Sequence, residues 1–140
     1  MTDHEAQAFL DRHGIAFKAV FADSTCPPWS GKKSCDHIHG DRYTITLVKG
    51  ADPGAPRLTF DFWNSKNDKK AGKQPTPYDV LASISGDYHC PDTFEEFCSE
   101  YGYDEDSRSA EATFKRCRDL SGRLRSFFTE QQAQELQEIQ

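Results

Sequence analysis

The sequence lacks most of the features that mark familiar function classes. No apolar run approaches the roughly 20 residues a membrane-spanning helix needs, so the chain is not expected to enter a bilayer. Neither a P-loop, another glycine-rich phosphate loop nor a dinucleotide fingerprint occurs, which removes the commonest nucleotide-binding architectures. Excess positive charge is also missing: 17 Lys and Arg stand against 23 Asp and Glu, a net charge of −6. Such a balance gives no long-range attraction to nucleic acid or to an anionic membrane, so direct nucleic-acid binding is disfavoured and a protein partner is expected. From Met1 to Leu10 the chain carries acids where a secretion signal needs basic and apolar residues, and a cytoplasmic setting is the expectation. Five cysteines cannot all pair within one chain, and a reducing compartment disfavours a disulfide framework. Internal repeats and low-complexity tracts are absent as well.

What is present suits a single domain of 140 residues. Asp3 to Arg12 reads as a short helix with Phe9 and Leu10 inward and Gly14 as its stop. Ile15, Phe17, Val20 and Phe21 then form a short β-prone run, a candidate first strand. Pro, Gly, Ser and charge then dominate a long irregular loop at about 22–41. Beyond it, Tyr43, Ile45 and Leu47 alternate with polar residues, as do Leu58, Phe60 and Phe62, and a tight turn at Ala51 to Gly54 would join them as a hairpin. A basic loop at about 64–76 leads to a helix capped by Thr76, with Pro77 and Asp79 in its first turn. Thr93 and Glu96 have capping-box spacing before Phe94, Phe97, Cys98 and Tyr101, which share one helical face, and Gly102 ends that helix. A longer helix buries Ala110, Phe114, Cys117, Ser121, Leu124 and Phe128, and Thr129 with Gln132 can open a last one. The order predicts an α+β fold: a small antiparallel sheet, the hairpin plus an N-terminal strand, packed against a helical C-terminal half.

Two constellations could carry function. Cys26, Cys35, His37 and His39 supply the donor types of a tetrahedral structural zinc, although their spacing is not that of common zinc sites, and reduced thiol with surface imidazole is the simpler reading. No cofactor is otherwise expected. The second is a one-signed stretch containing Asp92, Glu95, Glu96, Glu100, Asp104, Glu105 and Asp106, with Arg108 as its only full positive charge between Asp87 and Glu111. Glu95 and Glu96 favour a helix N-terminus, and Asp106 or Ser107 can cap the helix that follows. An EF-hand loop from Asp104 fails, because Ser109 stands where Gly is required and Lys115 where the bidentate Glu belongs. A solvated face explains the remainder most simply; an electronegative surface for a basic partner is the sharper reading. Basic residues gather at Lys66, Lys69, Lys70 and Lys73 and along the long helix at Lys115, Arg116, Arg118, Arg123 and Arg125, where they read as an ordinary outer surface, as phosphate contacts, or as charge partners of the acidic segment.

The segments PTPYDVLASIS and DTFEEFCSEYGYDEDSRSAEATFKRC resemble the shared half of a group of small phage- and prophage-encoded proteins of largely unassigned activity. The likeness spans about Tyr43 to Phe128, and the residues matching its motif are Phe94, Glu95, Phe97, Cys98, Tyr101, Gly102, Tyr103, Asp106, Ser107, Arg108 and Glu111. Proteins of that kind are similar in context to anti-CRISPR and other anti-defence inhibitors. The resemblance implies a non-enzymatic binding protein that blocks a bacterial host protein or ribonucleoprotein effector complex in the host cytoplasm. The alternative is a zinc-stabilised, nucleic-acid-associated accessory module using Lys66 to Lys73 and the long helix; a third reading is an enzyme with a cysteine nucleophile.

Overall fold

The computed structural model describes residues 1–24, 40–65 and 73–139. Its elements are α1 (Asp3–Arg12), β1 (Ile15–Ser24), β2 (Gly40–Lys49), β3 (Arg57–Ser65), α2 (Pro77–Asp87), α3 (Phe94–Tyr101), α4 (Arg108–Phe127) and α5 (Glu130–Glu138). The fold is α+β. The three strands form one antiparallel sheet in the order β1-β2-β3. Its register sets Ile45 opposite both Ala19 and Phe60, and Leu47 opposite both Phe17 and Leu58. Since side chains alternate along a strand, that register puts these apolar residues on one face, the face the helices cover.

The strands reach further into the flanking segments than alternation alone shows, β1 to Ser24 and β3 to Ser65. In β1 the inner residues are Ile15, Phe17 and Ala19, whereas Val20 and Phe21 are 47% and 54% exposed. Val20 has the opposite parity, and the Phe21 ring meets Tyr43 edge-on at 5.7 Å. The hairpin connection is also longer than a tight turn. Lys49 donates to the Pro56 carbonyl (2.9 Å), and the smaller turn closed by Ala55 and Asp52 (3.0 Å) lies inside it. On the face away from the helices Arg42 clamps the sheet: its Nε and Nη2 reach both Asp23 oxygens (2.8 and 2.7 Å), and Nη1 reaches Asp61 on β3 (3.3 Å). The two carboxylates raise the Arg42 guanidinium further above its already high range, so the clamp stays charged at any working pH.

Helix boundaries follow local chemistry. Thr76 and Thr129 each close a full capping box, with Asp79 and Gln132 respectively. Phe128 leaves the helical region (φ −88°, ψ 140°), so the C-terminal tail breaks from α4 and restarts at Thr129. Arg12 and His13, at the end of α1, both bond the Glu135 carboxylate on α5, His13 at 2.6 Å.

Two apolar clusters form. The larger joins α1, the sheet, α2, the second half of α4 and α5, through Phe9, Leu10, Ile45, Leu47, Leu81, Ile84, Leu124 and Leu136. A smaller one joins α3 to the first half of α4 through Phe97, Cys98, Ala110 and Cys117, bordered by Phe94, Tyr103 and Phe114. Burying one such aliphatic or aromatic side chain is worth about 1.5–3 kcal/mol, so α4 is the element that both clusters need.

The arginines of α4 are not an outer decoration. Arg116 donates to the Asp61 carbonyl (2.9 Å) and Arg123 to that of Thr59, two residues apart on β3, whose one sheet neighbour among the described residues is β2. On the other flank Arg118 reaches the carbonyls of Cys90 and Pro91 (both 3.4 Å) and the Asp92 carboxylate (3.2 Å). Arg125 donates to the Tyr88 carbonyl (3.0 Å) and lies 4.6 Å over its ring. Spacings of seven, 116 with 123 and 118 with 125, put each pair on one side of the helix. One pair covers a sheet edge that would otherwise be open to another strand, and the other holds the link between α2 and α3.

Replacing both Arg118 and Arg125 with Ala should lower unfolding free energy by about 1–2 kcal/mol in urea with an unchanged m-value, while Lys115→Ala, which removes only the exposed pair with Glu111, should stay within about 0.5 kcal/mol. Equal effects would show that the clips hold nothing. His13 first, and Arg12 after it, keep the Glu135 carboxyl below its ordinary range. A depressed carboxylate stabilises above its unfolded value and loses that contribution as pH falls through the folded one. Glu135→Gln should therefore cost about 0.5–1 kcal/mol at neutral pH, and the gap to the parent should close in acid.

Candidate docking face and aromatic cleft

Local chemistry places α3 and its acids. Thr93 Oγ1 accepts the Glu96 amide (3.1 Å), and among the described residues the reciprocal half of that capping box does not form. Gly102 ends the helix at φ 75°, a left-handed conformation that suits glycine, and the Tyr103 amide returns to the Cys98 carbonyl (2.9 Å). With Phe97 and Cys98 turned inward, Glu95, Glu96 and Glu100 are left exposed. The link to α4 is a turn in which Asp104 accepts the Asp106 amide through Oδ1 (3.1 Å) and the Ser107 amide through its carbonyl (3.0 Å).

The cap of α4 is Ser107, whose hydroxyl accepts the Ala110 amide (3.2 Å), and not Asp106. Both residue types can cap; the Asp104 turn sets Ser107 one position closer to the free amides. Asp92 also departs from the reading of a free acid, being paired with Arg118. Glu95, Glu96, Glu100, Glu105 and Asp106 make no ion pair among the described residues, and all are exposed. Cys26, Cys35, His37 and His39 lie outside the described residues, as do Lys66, Lys69 and Lys70. Among the described residues no group of three His, Cys, Asp or Glu side chains could hold a metal ion.

Beside the acids opens a cleft of about 340 Å³ between β3, α2, α3 and α4. Its walls are aromatic: Phe62 and Trp63 from β3, Phe97 and Tyr101 from α3, and Tyr103. Phe97 and Tyr103 lie nearly parallel, 5.5 Å apart, and Tyr101 is 49% exposed. Arg116 stands at the cleft with its guanidinium 5.7 Å over the Trp63 ring. Asp87, the last residue of α2, lines it as well.

That carboxylate is placed against two physical preferences. Burial pushes the Asp87 carboxyl up, with the Arg116 charge only partly opposing, and a negative charge at a helix C-terminus faces the negative end of the helix dipole. Sequence reading missed the cleft because its members come from four separate elements, and Asp87 passed as one more acid. The faint signal was an acid at the very end of a helix.

The thiols beside it are quiet. Cys90, Cys98 and Cys117 are free and buried. Burial pushes the Cys98 and Cys117 thiols up, leaving both protonated at neutral pH and unsuited to nucleophilic attack. His89 is exposed while Cys90 is buried, so that neighbouring pair diverges. Among the described residues no helix is long and apolar enough to cross a membrane. Compared with known families, curated proteins and solved structures, the chain matches none.

A carboxyl raised in the folded state contributes stability in acid and loses it as pH rises through the folded value. Asp87→Asn should therefore stabilise the protein by about 0.5 kcal/mol at pH 7 and leave it unchanged well below the ordinary aspartate range, as read by urea melts at both pH values. A destabilised variant at neutral pH would contradict the assignment.

Proposed function

We propose that this is a non-enzymatic binding protein of phage type, which inhibits a bacterial defence or nucleic-acid-handling complex by docking through the acidic surface of α3 and the α3–α4 link. One observation carries the reading. Glu95, Glu96, Glu100, Glu105 and Asp106 crowd one exposed stretch without an ion pair among the described residues, while Arg116, Arg118, Arg123 and Arg125 of neighbouring α4 are committed to carbonyls, Asp92 and Asp119, and Lys115 to Glu111. Unpaired like charges repel one another, so a surface that keeps them suits a partner of opposite sign, where complementarity speeds encounter and selects the target. The positively charged groove of a nucleic-acid-handling protein or ribonucleoprotein is such a partner, and the host cytoplasm is where it would be met. The resemblance of Phe94 to Glu111 to small phage proteins points the same way. A nucleic-acid-binding role for α4 has less support, because the arginines that would contact phosphate are the ones holding the fold together.

Charge reversal tests the reading. A variant with Glu95, Glu96, Glu100 and Glu105 all changed to Lys should keep its circular dichroism and melting temperature and lose the host proteins that the parent retains from a bacterial lysate. Retention of the same proteins by the folded variant would refute the acidic face.

A further inference from the structure

Acids on a surface give attraction at a distance but little grip, since exposed ion pairs contribute only about 0–1 kcal/mol each. Tight complexes instead rely on a few anchors seated in desolvated pockets, with Arg, Tyr and Trp prominent among them. The cleft beside the acids has the form of such a pocket. At about 340 Å³ it lies at the small end of the roughly 300–1,000 Å³ range of ligand sites and suits one long side chain better than a cofactor.

We infer that the aromatic cleft receives an arginine side chain of the basic protein partner, stacked on the rings of Tyr101 and Tyr103 with its guanidinium toward Asp87. The inference rests on the acidic-face reading and names the anchor that would make it specific. Aromatic faces attract cations, and a planar guanidinium both stacks on rings and bonds a carboxylate through two N–H groups, which an ammonium does not. The lining gives the sign of the occupant: Asp87 is its carboxylate, and Arg116, the one cation beside it among the described residues, is held by the Asp61 carbonyl. Arg116 does not replace the incoming cation, because its Nη2 is tied to the Asp61 carbonyl at 2.9 Å and its guanidinium lies over Trp63. Among the described residues Asp87 forms no ion pair, although it sits at the unfavourable end of α2. A residue kept where it costs stability is characteristic of a binding position.

The probe is a capped Gly-Arg-Gly tripeptide, titrated at constant ionic strength into the full chain, with Gly-Gln-Gly as control and the Trp63 indole resonance as readout. Saturable shifts in the millimolar range are expected for the arginine peptide and none for the glutamine peptide. Asp87→Asn and Tyr101→Ala, the second at a half-exposed lip where folding is little affected, should each weaken binding at least about fivefold, while the four-lysine variant of the acidic face changes it less than twofold. Asp87→Asn should do so while raising stability, a combination that a merely structural carboxylate would not give. Equal shifts with both peptides, or undiminished binding by Asp87→Asn, would overturn the inference. Peptide binding that persists beside unaltered lysate retention by the four-lysine variant would uphold the arginine cleft and remove the acidic face; lost retention without peptide binding would do the reverse.

Discussion

The structure depends on how α4 is held. Its arginines form two pairs of clips, one on the edge of β3 and one on the link between α2 and α3, and most of their acceptors are main-chain carbonyls. Carbonyl acceptors matter because a charged donor on a neutral acceptor forms one of the stronger hydrogen bonds without the burial of a second charge. The same contacts satisfy strand and loop carbonyls that no helix or sheet ladder serves. Through them a single helix joins a conventional sheet-and-helix core to a smaller cluster of aromatic rings and thiols.

The proposed docking surface follows from that arrangement. Since Arg116, Arg118, Arg123 and Arg125 are fixed on the flanks of α4, Asp92 is, among the described residues, the one acid of the stretch from Asp92 to Asp106 paired with one of them. The remaining carboxylates stay in water, and the aromatic cleft opens at the seam between the two clusters, where β3, α3 and α4 meet. Long-range charge and a short-range apolar pocket thus lie side by side. In the proposed complex they would divide the work of recognition, the first affecting the rate of encounter and the second the lifetime of the complex.

Much of the scaffold could be read from the chain. Tyr43, Ile45 and Leu47 against Leu58 and Phe60 give a hairpin because a strand that buries one face has no other way to arrange them. Thr76, Thr93 and Thr129 mark helix starts because an unpaired amide needs a nearby oxygen. The failures have equally plain causes. Asp106 and Ser107 offer the same capping chemistry, and only the turn at Asp104 decides between them. The arginines at 116, 118, 123 and 125 look scattered until it is known that a sheet edge lies along one flank of the helix and a loop along the other. Asp87, Trp63 and Tyr103 meet through tertiary packing alone, so no local pattern announces the cleft. The Cys and His constellation at 26–39 falls outside the described residues, and the zinc reading stands where the sequence left it.

Side-chain relaxation of the arginines tests the clip arrangement most directly. Nitrogen-15 measurements on the Nε–H groups should show Arg116, Arg118, Arg123 and Arg125 held in the manner of a rigid backbone, with order parameters near about 0.8, and the exposed Arg108 below about 0.6. Equal, high mobility across all five would mean that α4 is not clamped through these groups, and the account of both the scaffold and the surface beside it would fail.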